Sequence, residues 1–567
     1  MTLPRPISKD VTPGSMPSRP KIPAAARRHL VAVAALVTLG LLAYSNAFRG
    51  DFVFDDFQFI VDNPVIRDLS NYFVSSAGYR ASPHRVVAFA SFALNHAVGG
   101  LDPAGYHVVN IAIHLLNGSL AYALVCLLFR TTALKRSALA DSGHWIALVA
   151  AALFVAHPLQ TQAVAYVAQR MASLATTFYL LAVVLYLRWR IVREARPPGA
   201  LRAVAGYVPI LAVTIVAMKT KEIAFTLPLS VALLEAVLFQ GDARRRALYV
   251  GPILATLPII PLTMIDLGGS ASLAAQAAAV TNQTDHSRWD YLITQLPAVA
   301  TYLRLVLVPV GQNVDHDFPL FTSPFAGPVI AAAALLALVA GFAVWLLRRS
   351  RASAPAPLDP AARIVALGIA WFFLTLSVES SFIPIGDVFF EHRVYLPSVG
   401  LFAALATGGA LVVARAGDAR AKAIALAVGG AIVLVLAVTT FVRNEVWRSE
   451  LSLWSDAAAK APSKPRPHLN LGQALMAKHD VDAAIAQYRL ALRADPEYVE
   501  AHNNLGVALV EKGQVDEAIA HLELAVALLP SDADAQYNLG LAYGRKGRID
   551  LAREHMQLGM RLRSEGK

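Results

Sequence analysis

The chain has 567 residues, of which 56% are hydrophobic and only 16% charged, with 50 Lys+Arg against 39 Asp+Glu and a formal net charge of +11. Soluble globular chains hold about 45–50% apolar and about 25% charged residues, so an ordinary soluble enzyme is excluded and a chain with many membrane spans is indicated. The arginines sit at the ends of apolar runs, a pattern of membrane orientation and not of nucleic-acid binding, and the single cysteine, Cys126, lies inside an apolar run, which leaves no disulfide framework and no thiolate metal site.

Residues 1–28 are rich in proline and basic side chains without apolar periodicity, and a disordered cytosolic tail is expected there. The run from Val31 to Phe48 exceeds a signal-peptide core and reads as a retained first span. A spanning helix needs about 20 mostly apolar residues. Candidates fall at 30–48, 108–129, 144–157, 171–187, 203–218, 223–239, 247–266, 326–347, 364–382, 395–414 and 423–441, which is eleven. With the N-terminus inside, the inner loops carry 18 Lys+Arg in 60 residues and the outer segments 10 in 147, as the positive-inside rule requires. Residues 291–310 are apolar too, but Pro297 and Arg304 interrupt them, so an interfacial or re-entrant helix on the outer face is expected. An odd number of spans then puts everything after Phe441 outside.

That tail repeats. "NLG" recurs at Asn470, Asn504 and Asn538, a period of 34 shared by Ala474, Ala508 and Ala542, by Ala484, Ala518 and Ala552, and by Pro496 and Pro530. Small residues at helix crossings and proline after the second helix at this period are the tetratricopeptide signature. Pro462 adds a degenerate half repeat over about 448–462. Such arrays stack into a superhelix whose groove takes a polypeptide. The expected organisation is therefore all-α: a membrane helical bundle over 29–445, with its first outer loop at 49–107, and a repeat domain over 446–567 holding a half repeat and three full ones.

In chain order, the candidate chemistry begins with "FVFDDFQFIVDNP", where Asp55 and Asp56 stand in an apolar run just after the first span. A buried carboxylate without a partner is costly, so the pair asks for partners, solvent or a metal; a loop turn before Asn63-Pro64 is the plain alternative. His107, Asn110, His114 and Asn117 are spaced as one helical stripe; interhelical hydrogen bonding suits the inner members, and His107, nearest the surface, is the site candidate. His157-Pro158 and Gln169-Arg170 bracket a break in the next apolar stretch. Lys219, Lys221 and Glu222 tip a hairpin. "PVGQNVDHDFP" offers Asp315, His316 and Asp317, and "PIGDVFFEHRVYLP" offers Asp387, Glu391, His392 and Arg393. All these clusters share one face with Asp55. A sugar on a lipid phosphate needs a carboxylate base for the acceptor hydroxyl and a cation for the departing phosphate. No cofactor is demanded, although the DD and DHD runs suit a divalent metal.

Six stretches, "FVFDDFQFIVDNP", "GLDPAGYHVVNIAIHLLN", "AHPLQTQAVAYVAQRMASLATTFYLLAVVLYLR", "KTKEIAFTLPL", "TYLRLVLVPVGQNVDHDFPL" and "FFLTLSVESSFIPIGDVFFEHRVYLPSVG", together resemble the transmembrane and tetratricopeptide-repeat-containing protein family in its bacterial form, from about residue 30 to the C-terminus. The resemblance implies a GT-C glycosyltransferase similar to the protein O-mannosyltransferases. It implies transfer of mannose or another hexose from a polyprenyl-phosphate carrier to Ser or Thr hydroxyls of exported proteins, with an acidic pair in the first outer loop as base. Asp55 and Asp56 stand at that place. This chain departs in carrying Arg85-Val86 where relatives often have Arg-Pro, and in having only three full repeats.

The first expectation is thus an inverting membrane glycosyltransferase. Asp55 or Asp56 is its base. Arg85, His107, His157, Arg170, Lys219, Lys221, Glu222, His316, Glu391, His392 and Arg393 are candidates for donor phosphate or substrate, with Lys219, Lys221, Arg170 and Arg393 the phosphate-holding cations. Its partners are a polyprenyl-phosphate-linked sugar, an acceptor protein in the repeat groove and membrane lipids, with no nucleic acid. The second expectation is a non-enzymatic repeat scaffold recruiting periplasmic partners. A transporter would need more polar residues at mid-membrane than His114 and Asn117. The Ala/Arg-rich composition suggests a bacterial inner membrane, N-terminus cytoplasmic and repeats periplasmic.

Overall fold

The computed structural model describes residues 23–195, 199–264, 287–351, 354, 357–381 and 384–565, and every regular element among them is helical. The first helix, Ala24–Ala43, starts directly after Pro23. Residues 24–28 are therefore helical and not part of a disordered tail, because alanine and arginine extend the helix below the apolar run; the tail up to residue 22 lies outside the described residues.

Among the described residues eight helices are long and apolar enough to cross a membrane, or nine if Ala140–Ala156 and Pro158–Val164, bent by 53°, form one span. The eleven expected segments are these nine and two that hold shorter helices. The segment at 223–239 winds its first residues, Glu222–Thr226, as a 3-10 turn before Pro228, leaving an α-helix of 12 residues, Leu227–Leu238. The segment at 364–382 stops at Leu376 after 15 residues. At 1.5 Å per residue these reach about 18 and 22 Å, short of a hydrocarbon core of roughly 30 Å. Close packing still places one of them firmly: a Cβ on Gly368 would lie 2.2 Å from the Gly400 carbonyl oxygen, so Ala362–Leu376 and Tyr395–Ala416 meet backbone to backbone. Of residues 291–310, 291–307 fall in the helix Arg288–Leu307 and the last three are extended or irregular; the helix's Tyr291, Gln295 and Tyr302 donate to the carbonyls of Glu379, Val388 and Phe390. It runs alongside the loop that precedes Glu391.

The bundle has two unlike ends. At one end Arg190 holds Glu235 at 3.1 Å, Thr132 donates to Glu194, and Ser137 to Asp359; the arginine-rich loops gather there. At the other end lie the aspartate doublet, the 311–318 loop and the repeats.

The repeats are three helix pairs, Pro465–Met476 with Val481–Ala494, Val499–Glu511 with Val515–Leu528, and Ala533–Arg545 with Ile549–Ser564, preceded by the single helix Glu450–Lys460. The glycine of each "NLG" marks a crossing: a Cβ on Gly472 would meet Tyr488 at 2.4 Å and one on Gly506 would meet Leu522 at 2.5 Å. The array is bolted to the doublet end. Asp51 donates its N–H to the Arg448 carbonyl, Lys460 reaches the Gln312 carbonyl at 2.8 Å, and Trp454 is buried among Val53, Tyr166 and Trp447.

Candidate active site

The doublet splits into two environments. Phe54 has φ +54°, in the left-handed region that a bulky side chain rarely occupies. The Glu450 carboxylate, on the first helix of the repeat domain, accepts the Phe54 N–H and also the Trp454 indole N–H, and so holds this turn. Because of the turn, the two carboxyls do not point alike. Asp56 is fully buried, with Oδ2 accepting the N–H of Val53 at 3.0 Å and Oδ1 that of Ala168 at 2.6 Å. Burial pushes its carboxyl up to about 8 against those two N–H donors, and the neighbouring Asp55 adds to the rise. Asp56 is a loop clasp. Asp55 is only half-buried. Its N–H donates to the Tyr166 hydroxyl at 3.0 Å, and its carboxylate takes a hydrogen bond from that same phenol. Burial raises its carboxyl above the ordinary range, Tyr166 opposes the rise, Asp387 adds to it, and Arg466 opposes it again.

Arg466 comes from the repeat domain. Its guanidinium grips Asp315 with Nε and Nη2, each at 2.6 Å, and Asp387 with Nη2 at 2.6 Å. Lys464 adds a second cation to Asp315, and Ser463 donates to Asp317. Burial would raise the Asp315 carboxyl, but these cations bring it below its ordinary value. His316 turns instead to Glu391 at 2.8 Å, where Gln312 and the Asn313 N–H also donate. The three side chains of the DHD run thus face different partners. Among the described residues no group of three or more acidic, histidine or cysteine side chains converges as a metal site.

A second cluster adjoins the first. Arg393 donates to the carbonyls of Asp387 and Val388 and lies near the Tyr291 hydroxyl. Lys221 pairs with Glu379 at 3.0 Å, both nearly buried. Arg85 and His84 share Glu222 at 2.9 and 3.2 Å. Burial works against ionisation of Glu222, but Arg85 and His84 overcome it and bring the carboxyl down to about 2. His392 is buried with Lys221, Arg393 and Arg85 bearing on it, and its main-chain N–H donates to Gln162. Lys219 stands further out, 5.0 Å over the Tyr79 ring.

Three candidates are held elsewhere. Arg170 is buried, with Nε on Asn110 Oδ1, Nη1 on the Ser91 carbonyl and Nη2 on the Tyr106 carbonyl, above the Phe92 ring. Each of its three nitrogens has a partner within the protein and the side chain is fully buried, so it braces helices. His107 faces the Gly50 carbonyl, and His157 lies between the Val306 carbonyl and the Leu159 N–H. These two are also joints. His114 meets the Tyr395 hydroxyl, and Asn117 donates to the Ser173 carbonyl, as interhelical bonds. The sequence reading missed Tyr166, Glu379, Glu450, Lys464 and Arg466. The one signal for the last two was the basic stretch "SKPRP" just before the first "NLG", matched by acidic residues in loops far away along the chain.

Two tetratricopeptide repeat models match residues 469–533 and 533–565. The Protein O-mannosyl-transferase F38B6.6 of Caenorhabditis elegans is 27% identical over 490 residues, covering 82% of this chain and 62% of that protein. The Protein O-mannosyl-transferase TMTC4 of Homo sapiens is 27% identical over 509 residues, covering 80% and 64%. The chain thus spans just under two thirds of the length of these relatives. Among solved structures, the crystal structure of MamA matches at 22% identity with a TM-score of 0.19, over 20% of this chain and 68% of that one. This chain is a multi-pass membrane protein with a tetratricopeptide array, and its sequence is similar to proteins named Protein O-mannosyl-transferase.

Proposed function

We propose that the chain transfers mannose or another hexose from a polyprenyl-phosphate carrier to a Ser or Thr hydroxyl of a protein, on the non-cytosolic face of a bacterial inner membrane. One observation carries this reading. The half-buried Asp55 carboxylate, held by Tyr166, has Arg466 and Asp387 bearing on it; Arg393 takes the Asp387 carbonyl, and with Lys221 and Arg85 it bears on the buried His392. Replacing buried ion pairs by apolar side chains is often neutral or stabilising, so folding alone gives little reason to keep so many there.

In the reaction the acceptor oxygen attacks the anomeric carbon as its proton passes to Asp55. The carbon–oxygen bond to phosphate breaks, and polyprenyl phosphate leaves with the bonding pair, inverting the sugar carbon. Lys221 and Arg393 are the cations suited to the negative charge that grows on the phosphate. The relatives' names as O-mannosyl-transferases support the reaction class. Membranes containing the protein, given radiolabelled polyprenyl-phosphate mannose, should place label on protein hydroxyls. If folded protein transfers no sugar from any of a panel of such carriers, the reading fails and a repeat scaffold is left.

A further inference from the structure

Between the doublet loop and the first repeat lies a cavity of about 530 Å³, lined by Phe54, Phe57, Trp454, Asn470, Gln473 and Lys478 among others. Its volume falls within the range of ligand sites, roughly 300–1,000 Å³. We propose that this cavity takes an extended segment of the acceptor polypeptide and leads it to Asp55, a proposal that rests on the transferase reading above.

Three observations support an extended polypeptide as the occupant. First, the lining is mixed. An aromatic floor of Phe54, Phe57 and Trp454 faces the amides of Asn470 and Gln473, which make no side-chain hydrogen bond among the described residues. An amide side chain has both a donor and an acceptor, the pair an exposed peptide unit presents, while the rings suit its apolar side chains. Second, the wall is shared. Phe54 is the residue before Asp55, its ring stacks on Tyr166 at 6.0 Å, and Tyr166 holds Asp55. A chain lying on Phe54 is therefore one residue from the base. Third, Phe54 has a left-handed φ, and its N–H is held by Glu450, a residue of the repeat domain. Such a conformation costs on the order of 1–3 kcal/mol and persists where surroundings enforce it. The strained residue is the one that joins the cavity to the carboxylate.

The test uses the full-length protein in detergent with two acceptors, a long Ser/Thr-containing peptide and N-acetyl-threonine amide. Ala477 is exposed on the cavity rim, so Ala477→Trp fills the space without entering the core. The ratio of the KM for the long peptide to the KM for the small acceptor should rise about tenfold, or 1.4 kcal/mol. An unaltered ratio overturns the proposal. A photo-crosslinker at Gln473 should capture the long peptide even if no sugar is transferred, which separates this proposal from the reaction itself. Crosslinks only to lipid, or only to a second copy of the chain, also overturn it.

Discussion

The ion pairs of the repeat array and those of the doublet end are the same chemistry in different solvents. In the array, Arg489–Glu517 and Lys546–Asp516 link neighbouring repeats at 2.7 and 2.6 Å, Arg563–Asp534 joins the two helices of the third repeat at 2.5 Å, and each member is 40% exposed or more. Pairs of this kind contribute about 0–1 kcal/mol. They are a solvated ladder that accompanies the repeat period. At the doublet end, Lys221–Glu379 has side chains 9% and 12% exposed, and Arg466 meets an Asp315 only 3% exposed. Here Lys221, Glu379 and Asp315 have lost most of their water, while Arg466 keeps 29% exposure, so removing a partner leaves a buried charge stranded. Burial, and not the number of pairs, marks the place where charge is kept for a reason other than folding.

That contrast can be broken at graded points. The largest effect on stability is expected from Arg85→Ala, which strands the depressed Glu222 carboxylate and should cost about 3 kcal/mol; Glu222→Gln on top should restore part of it, as read by thermal unfolding in detergent. Asp56→Asn tests the clasp. The folded carboxyl keeps its proton up to about 8, whereas the unfolded chain releases it near pH 4, so this group makes the wild type less stable as pH rises from about 4 to about 8. The Asn variant should lack that part of the slope. Arg466→Ala removes a cation that favours ionised Asp55, so the acid limb of the pH–rate profile should move to higher pH, with about a tenfold loss of kcat/KM near neutrality; Arg466→Lys should recover part of the shift. The smallest effect is expected at Arg489→Ala in the ladder, under about 1 kcal/mol. A loss there as large as that of Arg85→Ala would erase the distinction between the two regions.

Local pattern made most of the fold legible. Apolar runs located the helices from Ala24 to Asn444, and the period of 34 located the repeats, because both signals are carried by residues near one another in sequence. Two expected spans hold shorter α-helices, at Glu222–Thr226 because the backbone winds as 3-10 and after Leu376 because the helix ends, since an apolar run does not report how its backbone winds. The candidate site was legible as a set of polar clusters on one end, but not in its pairing. Arg466 reaches Asp315 across 151 positions and Glu450 reaches Phe54 across 396, distances over which no periodicity speaks. Arg170 looked like a phosphate ligand because its three carbonyl and amide partners come from separate segments. The unlike fates of Asp55 and Asp56 turn on one positive φ at Phe54, a conformation that its side chain gave no reason to expect.

The central claim is that Asp55 removes the acceptor's proton while Asp56 holds the loop. The direct measurement is sugar transfer from labelled polyprenyl-phosphate mannose by purified Asp55→Asn, with its melting temperature taken alongside. The account predicts wild-type stability with transfer reduced about 10²–10⁴-fold, the range of a lost general base. Transfer at the wild-type rate by folded Asp55→Asn protein would contradict it.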